Sequence, residues 1–325
     1  MSLRILRRAL AVLALLAAAP AAADPITIIA QQVPLDPRNA NVTTVGALAF
    51  RGGLALRSPD KRFGGFSDLF VAPSGNFLLT ISDRGTWLRA NLVYDERGRL
   101  IGMRDGDIGP LIDAEGKPLT GTAADAEAMA VLPDGSILVA FERQHRLWLY
   151  PAAEPPFSKP PKEFPAPPNL EDSPGNSGIE SLMYVGGDYF IAITEKMRAS
   201  GNAVVGWVGR LSGWETFAYE RTGSFFPTAG QMLWTGDLLM LERSYDPVSG
   251  AAMRLQILKR REIAPGMRLR GQELARLEKP LTVDNFEGLG LRHDKARRET
   301  LVYVMSDDNF NPLQRTLLLM FALPD

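Results

Sequence analysis

Polar side chains interrupt apolar stretches of this chain at a nearly constant interval. Asp68, Glu127, Glu180, Gln231 and Glu287 are separated by 59, 53, 51 and 56 residues. A second acidic set follows each of them at Asp83, Glu142, Glu195, Glu242 and Asp307. In an antiparallel hairpin, opposed residues have numbers that sum to a constant. Asp68 and Asp83 are symmetric about Gly75-Asn76, Glu127 and Glu142 about Asp134-Gly135, and Glu180 and Glu195 about Gly187-Asp188. Glu287 and Asp307 straddle the longer "HDKARRE" turn, and only the fourth unit breaks the pattern, with Gln231 opposite Glu242. The spacing therefore predicts carboxylates facing each other at the open ends of four hairpins. Such pairs repel unless a shared proton, a basic side chain or a cation offsets the charge.

Three kinds of chemistry follow. Asp68, Asp83, Glu127, Glu142, Glu180, Glu195, Glu287 and Asp307 form an oxygen-rich candidate site for a hard divalent cation, calcium before magnesium. Glu127, Glu180 and Glu287 are candidate proton-transfer groups. Arg84, Arg143, Lys196 and Arg243, each directly after a return-strand acid, are candidates for holding a phosphate or carboxylate. The competing structural reading has each acid bonded to backbone amides of the neighbouring repeat.

These residues need a scaffold that brings five distant segments together. "SDLFVAPSGNFLLTISDRG", "AEAMAVLPDGSILVAFER", "IESLMYVGGDYFIAITEK", "GQMLWTGDLLMLERS" and "FEGLGLRHDKARRETLVYVMSDD" each contain two β-rich runs around a turn signal. "RLWLY" and "MRLQILKR" supply outer strands. A period of fifty to sixty residues with no long amphipathic helix indicates an all-β fold, a β-propeller of five blades with a degenerate sixth as the alternative. "VGALAFRGGLALRS", near the N-terminus, is expected to close the last blade. Repeating one strand-end position in every blade makes a ring at one mouth of the axial channel. Residues 151–174 hold nine prolines and must be an extended connection or edge segment rather than a central strand.

Residues 1–23 combine a basic start (Arg4, Arg7, Arg8), an apolar run from Ala9 to Ala19 and a small-residue exit, the pattern of a cleaved export signal ending near Ala23. The expectation is a periplasmic or secreted protein, a single domain over residues 24–325, with no stable membrane insertion. That remainder holds 33 basic and 37 acidic residues, a net charge of about −4, which disfavours nucleic-acid binding. With no Cys, thiol catalysis and thiolate metal sites are excluded, and two histidines cannot build a three-histidine zinc centre.

Other candidates are weaker. No GxSxG elbow occurs, and Ser67, Ser82, Ser181 and Ser306, beside the acids, suit turns and local hydrogen bonds better than nucleophilic attack. His145 is a candidate general acid or base, with a structural role the more common reading; His293 is expected at a solvated hairpin tip. "RDGDIGPLIDAEG" lacks the spacing of a calcium loop and reads as a polar turn.

"GGFSDLFV", "DAEAMAVLPDG", "NSGIESLMY" and above all "DNFEGLGL" with "SDDNFNPLQRTLLLMFAL" closely resemble the phytase-like domain family, labelled esterase-like activity of phytase, over roughly residues 44–323. The resemblance implies an exported bacterial β-propeller that hydrolyses phosphate or carboxyl esters. The first expectation is metal-assisted hydrolysis of phosphomonoesters, with a small anionic ester as partner, at the acidic ring. The alternatives are a non-catalytic periplasmic propeller that binds a ligand or protein, and a lactone or carboxyl-ester hydrolase.

Overall fold

In the computed structural model, which describes residues 23–324, the chain forms five β-sheets in sequence order around one axis. The inner strands are Phe66–Val71, Ala126–Val131, Ile179–Gly186, Phe226–Met232 and Phe286–Asp294. Each inner strand packs against the inner strands of its two neighbours, which closes a five-bladed ring. The second strands, Phe77–Ser82, Ile137–Phe141, Tyr189–Arg198, Leu238–Asp246 and Glu299–Ser306, pair with them across the turns expected from the sequence. "RLWLY" is the third strand of blade two, and "MRLQILKR" supplies the third strand of blade four as far as Leu258, its last two residues leading into a short 3-10 turn. Leu48–Arg57 pairs with the C-terminal strand Thr316–Pro324, and Ile29–Gln32 adds outside it, so both ends of the chain lock the fifth blade. No sixth blade occurs among the described residues, and the expected leader lies almost wholly outside them.

The second strands are continuous apolar runs because both of their faces are covered by neighbouring blades. Successive side chains point to opposite faces, so Leu78 packs toward blade five and Leu79 toward blade two. Leu138 and Val139, Ile191 and Ala192, and Leu239 and Met240 divide in the same way between their two neighbours. The core is therefore five separate clusters, one per blade interface. The proline-rich segment takes the edge role expected of it: Lys162–Phe164 is the outermost strand of blade two, and Phe157, Phe164 and Leu170 are buried beneath it.

The facing-carboxylate register is corrected by the structure. Every inner strand carries a β-bulge one or two residues from its start, which adds one residue on that side and shifts the pairing. The bulged residues are Ser67, Glu127, Glu180, Thr228 and Glu287. Asp68 consequently pairs with Ile81, and the amide of Asp83 reaches back to Gly65 at 3.0 Å. Glu142 faces Asp125, Glu195 faces Gly178 and Asp307 faces Asn285, through amide-to-carbonyl bonds of 2.8, 3.1 and 2.9 Å. In blade four Arg243 faces Phe226 and occupies the position the acids hold elsewhere, while Glu242 pairs with Pro227, one step inside the ladder.

The inner strand of blade one is thus offset by one residue from the repeat read in the sequence, with Ser67 at the bulge, which explains why Asp68 serves the scaffold; blade four is offset by three on its inner strand, with Thr228 for Gln231, and by one on its return strand. Its Oδ1 accepts the Leu69 amide at 2.7 Å and its Oδ2 accepts the Met129 amide of blade two at 2.8 Å. An asparagine there keeps one acceptor and sets an NH2 against one of those donors. Asp68→Asn is expected to lower stability by about 1–3 kcal/mol, the cost of an orphaned buried donor. Urea denaturation measures it, and a loss below about 0.5 kcal/mol, the range of an ordinary surface substitution, would remove the blade-fastening role.

Candidate active site

The bulges push side chains into the mouth of the channel, on the side away from the hairpin turns. There a cavity of about 170 Å³ is lined by Asp83, Asp125, Glu127, Glu142, Glu180, Glu195, Glu287 and Asp307, together with Arg143, Lys196, Arg243, Asn176 and Asn309. Seven of the eight acids expected as cation ligands line it, and so do three of the four expected bases. Asp68 does not, being committed to backbone amides. Arg84 does not either: its guanidinium stacks 3.3 Å from the centre of the Phe310 ring. Glu242 and Gln231 stand apart as well. Glu242 is fully buried inside blade four, where Tyr219 donates to it at 2.8 Å and Arg254 and Gln256 hold its other oxygen.

Basic partners neutralise one part of the ring. Arg143 pairs with Asp125 and also donates to Asn176 at 2.8 Å. Lys196 pairs with Glu195. Arg243 spans two blades, 3.0 Å from Glu287 and 3.5 Å from Glu195. Burial alone would weaken its hold on the proton, but Glu287, Glu195, Glu180 and Asp307 together outweigh that and hold the charge more firmly than usual. Asn285 donates to Glu287 at 2.9 Å.

Blade two still has too few bases, because Arg143 alone serves Asp125, Glu127 and Glu142. Asp125, Glu127 and Glu142 each place a carboxylate oxygen within 4.8 Å of the others. Glu142 accepts the Gly178 amide and shares a hydrogen bond with Glu180. Burial, reinforced by the neighbouring carboxylates, drives the carboxyls of Glu127 and Glu180 well above their ordinary range. Burial also raises Glu287, against the pull of Arg243. It pushes Glu142 up to about 7, Asp83 to about 6 and Asp307 to about 9. Five strand ends cannot all carry full negative charge at such range, so these carboxyls keep protons unless a cation replaces them.

Asp125 is the acid the sequence reading missed. It lies two residues before Glu127, the interval that sets side chains on one face of a strand, and "DAE" was its only signal. Asn176 and Asn309 come from loops and had none. His145 does not line the cavity; its ring packs on Gly178, where an added Cβ would lie 2.8 Å from Nδ1, and both ring nitrogens are buried without a hydrogen-bond partner. His293 is not simply solvated at its tip: it stacks on Trp234 with ring centres 4.7 Å apart. Ser67 and Ser82 bond to backbone carbonyls of Gly65 and Gly64, and Ser306 to that of Arg315, as turn residues do. Asp113 caps its own turn, accepting the amides of Glu115 and Lys117.

The pH dependence has a definite sign. Between the unfolded carboxyl value of about 4 and the folded values of about 6, 7 and 9 for Asp83, Glu142 and Asp307, the folded state binds more protons than the unfolded one. Stability must then fall as pH rises across that window. Cation-free protein is expected to lose stability from pH 5 to pH 9, and Glu142→Gln to flatten the decline. Chemical denaturation across that range measures it, and stability rising with pH would contradict the assignment.

No curated protein matches the chain. Among solved structures, a putative gluconolactonase superposes with a TM-score of 0.43 at 12% identity, covering 91% of this chain and 94% of that one. A gluconolactonase from Xanthomonas campestris gives 0.43 at 12% identity over 94% and 99%. The WD40 repeats of RRP9 give 0.40 at 11% over 81% and 82%. A family profile described as "Phytase-like: Esterase-like activity of phytase" matches residues 61–310, from just before the first blade into the terminal "SDDNFNPLQRT" block, and the chain belongs to that family.

Proposed function

We propose that the chain is an exported, cation-dependent hydrolase of carboxyl esters and lactones, working at the acidic mouth of the channel. The observation that carries this reading is the imbalance of charge around one small cavity, eight carboxylates against three bases. The residues fit a hard cation: the three oxygens of Asp125, Glu127 and Glu142 are close enough to share one ion at the 2.3–2.6 Å typical of calcium–oxygen bonds. A divalent cation bound there would supply positive charge for a developing oxyanion and make water easier to deprotonate.

The chain's own groups supply the remainder. Asp125 and Glu127, with Glu142, present acceptor oxygens on one wall. Glu180, buried and hydrogen-bonded to Glu142, would give up its proton when a cation is held by Asp125, Glu127 and Glu142, and is then placed to take a proton from the attacking water as the water oxygen bonds the acyl carbon. The ester C–O bond then breaks, and the same carboxyl returns the proton to the leaving alcohol, so one ester and one water become one acid and one alcohol. Arg243, held charged on the opposite wall, pairs with the carbonyl oxygen and with the carboxylate product. Glu287 fixes Arg243 in place.

The uncharged ester bond itself meets this net-negative mouth without a Coulombic penalty, whereas the dianionic reacting group of a phosphomonoester needs the cation charge merely to approach. The second reading, phosphomonoester hydrolysis, rests on Arg143 and Lys196, whose half-exposed side chains face solvent at the same mouth.

The test is turnover of 4-nitrophenyl acetate, a simple lactone and 4-nitrophenyl phosphate by chelator-treated protein, with and without added calcium. Calcium-dependent hydrolysis of the first two supports the proposal, and of the phosphate alone the second reading. Binding of calcium without turnover of any of them would leave a ligand-binding propeller instead. Glu180→Gln is expected to lower kcat by about a hundredfold or more while the denaturation midpoint is held or raised. A loss smaller than about fivefold would remove Glu180 from the proton-transfer role.

A further inference from the structure

A second cavity, of about 860 Å³, opens between blades four and five, and Arg243 and Asn309 line both it and the acidic mouth. One wall is the turn joining the second and third strands of blade four, with Tyr245 largely exposed at its rim. The other wall is the 307–315 loop, and it is firmly held. Asn309 and Phe310 adopt φ of 50° and 49°, a left-handed conformation that residues other than glycine keep only when their surroundings enforce it. The enforcing contacts are visible. Asp307 accepts the Asn309 amide at 2.6 Å, Asp308 accepts the amides of Phe310 and Gly65 at 3.0 Å, and the Phe310 ring lies under Arg84. The Phe310 ring also closes over Gly65, where a Cβ would stand 2.4 Å from it.

Charge is not balanced along this groove. Arg243 is matched by Glu287 and Glu195, and Arg315 by Asp284 at 3.3 Å. Lys279 has no carboxylate partner among the described residues. Its ammonium lies over Gly250, where a Cβ would be 2.7 Å from Nζ, so the absence of a side chain at that position leaves room for it. A preformed trough thus leads from the proposed reacting centre to an uncompensated cation.

We propose that this groove is the substrate's second subsite, and that it selects esters whose acyl chain ends in an anionic group, which Lys279 pairs at the far end. The inference rests on the hydrolase reading for its role in turnover, but not for binding. It is tested with mono-4-nitrophenyl esters of succinate, glutarate and adipate against 4-nitrophenyl butyrate, and by calorimetric titration of free glutarate, on wild type, Lys279→Met and Lys279→Arg.

The expected result is preference for one length of the acidic series. In Lys279→Met the ratio of kcat/KM for that ester to that for butyrate falls up to about fivefold, the upper range for an ion pair at an exposed lysine such as this one, through KM rather than kcat. Glutarate affinity falls in parallel, and Lys279→Arg restores both. An unchanged ratio with unchanged glutarate affinity would overturn the proposal. If wild type hydrolyses none of these esters, the hydrolase reading fails, and the titration still decides the groove: glutarate binding that Lys279→Met weakens supports it, and no binding by wild type overturns it. Replacing glutarate by glycerol phosphate in the titration separates a carboxylate site from a phosphate site.

Discussion

Five strand ends converge on one axis, and like charges placed there cannot move apart. Repulsion among the carboxylates of the channel mouth is the constraint on which the site depends. Three remedies are visible or prepared for: basic partners on Asp125, Glu195 and Glu287, protons retained by carboxyls pushed above their ordinary range, and a cluster of three oxygens suited to a cation. The arginine in blade four is part of the same solution. By standing where the other blades put an acid, Arg243 divides the ring into a balanced side and a side short of positive charge.

The scaffold holds these groups in place through packing on both faces of every blade. Each blade is covered on both faces by apolar side chains of its neighbours, and both ends of the chain are held in the last sheet. Moving one strand end would require repacking two interfaces, which dense cores resist. The bulges work against this rigid background. They take one residue per blade out of the ladder, and in blades two, three and five that residue, Glu127, Glu180 or Glu287, lines the mouth, so much of the site is built where regular pairing fails.

Asymmetry between the blades gives the mouth its chemistry. A five-fold ring of identical acids would be a uniform cation trap. Here blade two contributes the opposed pair Asp125 and Glu142, blade four the arginine, and blade five a stapled loop that extends the mouth into a groove. The hydroxyls of Ser67 and Thr228 at the bulges of blades one and four serve nearby backbone carbonyls, leaving the acidic side chains concentrated between blades two and three.

The sequence by itself determined the repeat, the hairpins, the closure of the last blade and most of the acids that meet at the mouth. These follow from short-range information: period-two and turn patterns are local, and a residue repeated once per blade must land in a ring. Register was decided only by tertiary structure. A bulge adds one residue to one strand, and a shift of one residue exchanges the two faces, so Asp68 and Glu242 turned inward to bond backbone and buried partners while Arg243 turned to the axis. Nothing in the local pattern distinguishes Asp68 from the bulged Glu127, because the bulge is set by how five blades crowd around one channel. Asp125, Asn176, Asn309 and the groove that Lys279 ends were likewise fixed by loops from different blades meeting in space, a relation that no interval along the chain records.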